Sequence, residues 1–281
     1  MEWTNLSGQY VLIAALVVVA GLIIYWQWRI SKHRSGLTLD IGMGNAIGSQ
    51  ETQNDASGAV EKPWGTLAVL ADGTGKGGAG KIASLATVQT FLKLFGSQDV
   101  TSNIGYFFTQ AFNRSNKEVL ERLRGARGGT AAAAVLINRG YLNYASVGDI
   151  RIAILRKKEL IPLNTGHNMK TAAVKGFAQG RLTREEALAV SKIDRQTNYI
   201  GRDGFKNIEI DPEPVRLNPG DTIIIMNASI HKCLSWVEIE AILRKPGLCQ
   251  QLADRIIAAY NRNPLPEKKN AGLFVLRYYG I

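Results

Sequence analysis

The order in which strand-like and helix-like segments follow one another constrains the fold of this chain more than any other feature. Apolar strand segments come first. They are followed by two amphipathic helices, a run of hairpins and a polar insert, and then by another strand, two helices and a last strand. Parallel sheets are built from alternating βαβ units, and this order does not contain them. We therefore predict an α+β fold, an antiparallel β-sandwich flanked by helix pairs.

The clearest segments lie in the first half of the domain. Residues 66–71 predict a buried strand, and the glycine-rich residues 73–80 lead from it into a helix. The apolar faces expected for this helix and the next are formed by Leu85, Val88, Leu92 and Phe95, and by Ile104, Phe107, Phe108, Ala111 and Phe112. Residues 164–205 predict an irregular insert with one short helix, which Thr183 and Glu186 would cap.

An apolar run near the N-terminus predicts a membrane anchor. Residues 10–28 approach the ~20 residues that cross a bilayer as a helix. Arg29, Lys32 and Arg34 follow, so the positive-inside rule places the rest of the chain in the cytoplasm. The predicted parts are thus an extracytoplasmic segment 1–9, a transmembrane helix 10–28, a basic linker 29–39 and a domain 40–281. A cleaved signal peptide is the alternative, but the chain lacks its basic N-terminal region and small-residue cleavage site.

The formal net charge of +11 favours an anionic neighbour. No nucleic-acid-binding signature accompanies it, so we expect no nucleic acid partner. Anionic lipid of the inner leaflet is the expected neighbour, with a solvated basic face as the equal alternative. The two cysteines, Cys233 and Cys249, exclude a disulfide framework.

The glycine-rich segment also fits a second motif. Residues 75–81 fit the spacing G-x-x-x-x-G-K of a phosphate-binding loop. However, Ile82 occupies the position at which such loops use Ser or Thr to hold Mg²⁺. Nucleotide hydrolysis is therefore disfavoured, and Lys76 and Lys81 remain candidates for binding an anion.

Five short motifs occur in a fixed order along the domain. They are Asn54-Asp55-Ala56, Ala71-Asp72-Gly73-Thr74-Gly75, Gly128-Gly129-Thr130-Ala131, Val147-Gly148-Asp149-Ile150-Arg151, and Gly180-Arg181-Leu182-Thr183 with Glu185-Glu186-Ala187. Together they make residues 40–279 resemble the PPM family, the metal-dependent type 2C Ser/Thr protein phosphatases. In that family the last motif belongs to a flap, which here corresponds to the insert 164–205.

The resemblance implies a metal site and also shows where this chain departs from it. The family holds two divalent ions, for which Asp55, Asp72 and the Gly73 carbonyl are the remaining ligands here, with Asp149 as a further candidate. Four positions depart from the family's pattern. Ala228 and Lys269 stand where the family has its two late aspartates, Asn54 replaces a glutamate, and Gln50 replaces a phosphate-binding arginine.

These departures predict a weakened cation site. A lysine ammonium about 4 Å from a cation repels it by roughly 4 kcal/mol per unit charge of the cation, at an effective dielectric near 20. We therefore expect the Lys269 ammonium to replace the missing cation and to pair with Asp72 or Asp55. No cofactor is expected, or at most one weakly bound Mn²⁺ or Mg²⁺ ion. If the register is shifted instead, Lys269 is a surface lysine, and Glu267 or Asp254 becomes a candidate ligand.

The resulting functional hypothesis is a membrane-anchored type 2C pseudophosphatase. It would bind a phosphoprotein or act as a scaffolding or regulatory module, with a cytosolic or membrane protein as its partner. The alternative is an active, atypical metal-dependent protein Ser/Thr phosphatase. A P-loop-like nucleotide or anion binder is the least favoured hypothesis.

Overall fold

The computed structural model describes residues 15, 16, 18–23, 25, 38–264 and 267–280. It divides into two units, Met1–Thr38 and Leu39–Ile281. In the first unit, residues 15, 16, 18–23 and 25 are helical.

The prediction of a single-pass membrane protein is corrected here. Within the described ranges, the structure contains no helix that combines the length and apolar character needed to cross a bilayer. The other residues of the predicted span 10–28 lie outside the described residues, as do the segment 1–9 and most of the linker 29–39.

The second unit contains two antiparallel sheets. One has the strand order β1-β11-β10-β6-β7, and the other has the order β2-β3-β4-β5-β8, with β9 also paired to β5. The strands are β1 Leu39–Ala46, β2 Ala56–Lys62, β3 Gly65–Gly75, β4 Gly128–Asn138, β5 Tyr141–Val147, β6 Arg151–Arg156, β7 Glu159–Pro162, β8 Glu209–Ile210, β9 Val215–Arg216, β10 Thr222–Met226 and β11 Ala271–Tyr278. The predicted α+β class with antiparallel sheets is confirmed.

Helices cover the outer face of each sheet. The helices of this unit are α1 Ala79–Ser97, α2 Ile104–Leu123, α3 Met169–Ala178, α4 Arg184–Ser191, α5 Ala228–Cys233, α6 Trp236–Leu243 and α7 Cys249–Arg262. Helices α3 and α4 belong to the insert 164–205. Helices α1 and α2 pack on the sheet that contains β3, whereas α5, α6 and α7 pack on the sheet that contains β10.

Strand alternation divides the core into three apolar layers. In β3, Leu67 and Val69 face α1 and α2, while Ala68 and Leu70 face the opposite sheet. In β10, Ile224 instead packs against α5, α6 and α7. Successive side chains of a strand point to opposite faces, so each sheet has two buried faces. This double burial explains why the strands appear in the sequence as continuous apolar runs.

The first helix differs in part from its predicted face. Val88 and Phe95 are buried as expected, but Leu85 is 41% exposed and Phe91 takes its place in the core. The Phe91 ring meets Phe112 of α2 edge-on, with 4.9 Å between the ring centroids. This aromatic contact orients α1 toward α2.

The insert 164–205 contains one helix more than predicted. Helix α4 begins at the expected capping box of Thr183 and Glu186. Helix α3 was not predicted. Asn168 caps it by accepting a hydrogen bond from the Thr171 N–H at 2.8 Å.

Candidate active site

Two carboxylates meet where β2 begins and β3 ends. The antiparallel register pairs Ala56 with Ala71, so the preceding Asp55 lies beside the following Asp72. Gly73 continues the strand where another residue would not fit. A Cβ at this position would lie 2.2 Å from the Gly80 carbonyl oxygen and 2.4 Å from that of Asn54. The glycine therefore lets the backbones of Asn54 and Gly80 approach β3 closely.

Both carboxyls of the pair are difficult to ionise. Burial raises the pKa of Asp55, and the charge of Asp72 raises it further. Burial likewise raises the pKa of Asp72 to about 6, although a hydrogen bond with Asp55 and the charge of Lys269 act in the opposite direction. Two carboxyls that share a site avoid repulsion by holding a proton between them. At neutral pH we therefore expect Asp55 to carry that proton.

Asn227 supports the pair from the opposite sheet. Its fully buried amide donates hydrogen bonds to Asp55 Oδ2 and to the Asn270 carbonyl, both at 2.9 Å. Its Oδ1 accepts from the Ile230 N–H and caps α5. Sequence reasoning did not single out this residue, although a polar side chain at the end of an apolar strand was a visible signal.

The carboxylate pair fits a divalent cation. The buried Oδ1 of Asp55 receives no hydrogen bond from any described residue. Carboxylate oxygens are ligands that Mg²⁺ and Mn²⁺ prefer, and Asp55 and Asp72 provide two of them side by side. This set of ligands is small. Among the described residues, no three His, Cys, Asp or Glu side chains are grouped so that they could hold a metal ion.

A second charged cluster surrounds Asp149 in the turn between β5 and β6. Its carboxylate contacts Lys232 Nζ at 3.1 Å, His231 Nε2 at 3.5 Å and Arg151 at 3.6 Å, and Asn168 Nδ2 donates to it at 2.7 Å. Burial alone would raise the pKa of Asp149, but the hydrogen bonds and charges of these partners, His231 first, hold it well below its ordinary range. Asp149 is therefore ionised at neutral pH.

The expected ion pair of Lys269 is not formed. The Lys269 side chain is exposed, and it makes no ion pair with a carboxylate of the described chain. The charge of Lys269 acts on Asp72 without a direct contact, and it lowers the pKa of Asp72. The close ion pair belongs instead to Lys232, which bridges Asp149 and Asp194 of the insert.

A cavity of about 470 Å³, called here the central pocket, brings several predicted site residues together. Its lining includes Asp72, Asp149, Ala228 and Lys269. Other predicted residues lie outside it: Gln50, Lys76 and Lys81 have exposed side chains, and Asn54 donates its backbone N–H to Asn270 Oδ1 at 2.8 Å. The glycine-rich segment contributes only Thr74 and Gly75 to the pocket, so the lysines predicted to bind an anion do not face it.

Comparison with known proteins identifies relatives of one kind. The chain is 30% identical over 185 residues to a putative protein phosphatase 2C-type of Streptococcus pyogenes, covering 63% of this chain and 72% of that protein. It is 28% identical over 214 residues to the protein phosphatase PhpP of Streptococcus pneumoniae, covering 73% of this chain and 84% of that protein. No family model matches the chain.

Solved structures share the fold. The Streptococcus agalactiae serine/threonine phosphatase superposes with a TM-score of 0.76 at 24% identity, covering 86% of this chain and 100% of that chain. The catalytic domain of the phosphatase PstP, solved in complex with 2 manganese ions, superposes with a TM-score of 0.66 at 21% identity, also covering 86% of this chain and 100% of that chain. The expectation of no cofactor, or at most one weakly bound ion, is contradicted by the 2 manganese ions of that structure.

Proposed function

The chain belongs to the type 2C protein phosphatase family, and on this premise we propose that it is a metal-dependent protein Ser/Thr phosphatase with an altered cation site. The relatives named as protein phosphatases support the reaction class. The alteration lies at Ala228 and Lys269, where the family's two late aspartates are missing. The proposed enzyme therefore works with fewer metal ligands than the family's pattern provides.

One observation carries this proposal, namely the strained Asp55–Asp72 pair. Asp55 and Asp72 lie side by side and are only partly exposed, so burial and mutual repulsion both oppose their ionisation and raise the free energy of the folded protein. Such an arrangement is explained if a divalent cation binds between the two carboxyls in place of the proton expected there. Asp55, Asp72 and the Gly73 carbonyl would hold the cation. When bound, it would supply an activated water and neutralise phosphoryl oxygens.

The remaining pocket residues have roles that follow from their charge. Lys232 lines the pocket and carries positive charge toward a phosphoryl group bound beside Asp72. Asp149 neutralises and orients Lys232, since it contacts the ammonium at 3.1 Å. Asn227 holds Asp55 in place through its 2.9 Å hydrogen bond.

The test is Mn²⁺-dependent dephosphorylation of a phosphothreonine peptide by the full chain. We expect turnover that requires Mn²⁺, is abolished by EDTA, and falls at least ~100-fold in Asp72→Asn, the size of effect seen when a group that stabilises the transition state is removed. The control variant is Asp203→Asn, because Asp203 is exposed and lies outside the pocket. Absence of Mn²⁺-dependent turnover in the wild-type protein, or equal turnover in Asp72→Asn, contradicts the proposal.

A second candidate function is phosphoprotein binding without hydrolysis. Ala228 and Lys269 favour it, because both replacements weaken the charge of a cation site while leaving a positively charged pocket. The same assay separates the two functions. A phosphopeptide that binds the central pocket but is not hydrolysed with Mn²⁺ present supports the second.

A further inference from the structure

Three of the cations that line the central pocket have no carboxylate partner. Arg127, Arg195 and Lys269 face the cavity, and none of them belongs to an ion pair in the described parts of the chain. Among the acidic residues of the lining, Asp149 and Asp194 are both bound by Lys232. The pocket therefore presents uncompensated positive charge at its surface.

The acidic residues Asp72 and Asp149 also lie deeper than these cations. The Asp149 side chain is only 3% exposed, and Asp72 is partly buried beside Asp55. Arg127, Arg195 and Lys269 are all exposed. A ligand that enters the pocket thus meets the three cations before it reaches either of these carboxylates, so the cations determine which charge the entrance attracts.

The backbone holds two of the cations in fixed positions. The Arg195 carbonyl accepts a hydrogen bond from the Met169 N–H at 3.0 Å. The Lys269 carbonyl accepts one from Tyr260 Oη at 2.6 Å. Arg127 directly precedes β4, in the sheet that also contains β3. Binding of an anion therefore requires ordering of the side chains but not of these backbone segments, which lowers the entropic cost of recognition.

The wall that carries Arg195 is attached to the sheet. Thr130 and Ile200 exchange backbone hydrogen bonds of 2.9 and 2.8 Å. Gly129 makes room for the neighbouring Tyr199, since a Cβ there would lie 2.6 Å from its ring. The exposed Tyr199 lines the pocket together with Arg195. The insert thus forms one fixed side of the entrance.

We propose that the central pocket recognises phosphorylated peptide segments in which acidic residues flank the phosphorylated residue. Arg127, Arg195 and Lys269 would contact the flanking carboxylates, while the phosphoryl group lies beside Lys232. The proposal rests on the proposed function, because it names the substrate class of that same site. Arginine suits this task, since its planar fork binds carboxylates through two parallel hydrogen bonds.

The experiment measures binding alone, so that it does not depend on turnover. The full chain, in EDTA at physiological salt, is titrated by fluorescence anisotropy with three labelled peptides. One carries a phosphothreonine with acidic flanks, one carries the same phosphothreonine with neutral flanks, and one is acidic but not phosphorylated. We expect the acidic phosphopeptide to bind about tenfold more tightly than either other peptide, because each exposed ion pair raises the binding affinity a few-fold.

Matched charge reversals locate the effect. The double variant Arg127→Glu/Arg195→Glu should remove the preference for acidic flanks. The control Lys93→Glu/Arg114→Glu changes the net charge equally at positions of α1 and α2 outside the pocket, and it should keep the preference. The proposal is overturned if the wild-type protein binds the acidic and the neutral phosphopeptide with equal affinity. It is also overturned if both double variants lose the preference for acidic flanks equally. A preference for acidic flanks without Mn²⁺-dependent turnover supports this inference while contradicting the phosphatase activity.

Discussion

Replacing Asp55 by asparagine should stabilise the cation-free protein and remove its response to metal. The substitution keeps the shape of the side chain and removes its charge. The carbonyl of the introduced amide can accept the hydrogen bond that Asn227 Nδ2 now donates to Asp55 at 2.9 Å. The NH₂ group of the same amide can donate to Asp72, which then no longer has to share a proton.

The magnitude follows from the charges. Two like charges about 4 Å apart repel by roughly 4 kcal/mol at an effective dielectric of about 20. The wild-type pair avoids this repulsion by holding a proton, at a cost of about 1.4 kcal/mol for each unit of raised pKa. After allowance for partial solvation, we expect Asp55→Asn to raise the free energy of unfolding in EDTA by about 2–4 kcal/mol at pH ~7.5. This corresponds to a Tm increase of at least about 4 °C.

The pH dependence of stability gives a second readout with a definite sign. The folded protein keeps a proton on Asp55 at pH values where the unfolded chain has lost it. The stability of the wild-type protein in EDTA should therefore fall as the pH rises from the ordinary pKa near 3.8 toward the raised pKa of about 9. Asp55→Asn should lose most of this slope.

Urea unfolding of both proteins across this pH range, with and without Mn²⁺, is the assay. Mn²⁺ should stabilise the wild-type protein and should have a much smaller effect on Asp55→Asn. The control Asp203→Asn removes one exposed carboxylate and should behave as the wild type. A destabilised Asp55→Asn variant with an unchanged pH slope would refute the reasoning.

Three further predictions concern residues around the pocket. Lys232→Met should accelerate hydrogen exchange in helix α4, because Lys232 links Asp194 of the insert to Asp149, which it contacts at 3.1 Å. Asn227→Ala should lower the free energy of unfolding by about 2–4 kcal/mol in urea denaturation, since it leaves buried polar partners without hydrogen bonds. Ala228→Asp combined with Lys269→Asp should raise the Mn²⁺ affinity at least ~tenfold in a calorimetric titration, because it adds two carboxylates to the pocket lining and removes a positive charge. Unchanged exchange, unchanged stability or unchanged affinity would contradict the respective prediction.

Local patterns made much of the fold predictable. The change from one hydrophobic period to another indicated antiparallel sheets, and the capping box of Thr183 and Glu186 indicated the start of α4. Helix α3 was missed because only Ala173 and Gly176 of its residues are buried, so no apolar face is visible in its sequence. The strands were recognisable because each central strand is buried on both faces.

The site was predictable to the extent that its residues lie in short motifs. Asp55 and Asp72 were identified in this way, and the strand register places them side by side. The partner of Asp149 was not predictable, because Lys232 reaches it through a tertiary contact between a turn and α5. Lys269 was favoured from its motif position alone, and local spacing does not determine the direction of an exposed side chain.

Calorimetric titration of the metal-free protein with Mn²⁺ at neutral pH, repeated in buffers of different ionisation enthalpy, tests the central claim most directly. If a cation takes the place of the proton shared by Asp55 and Asp72, binding should release about one proton, and Asp72→Asn should abolish both binding and release. Absence of Mn²⁺ binding, or binding without proton release that persists in Asp72→Asn, would contradict the account.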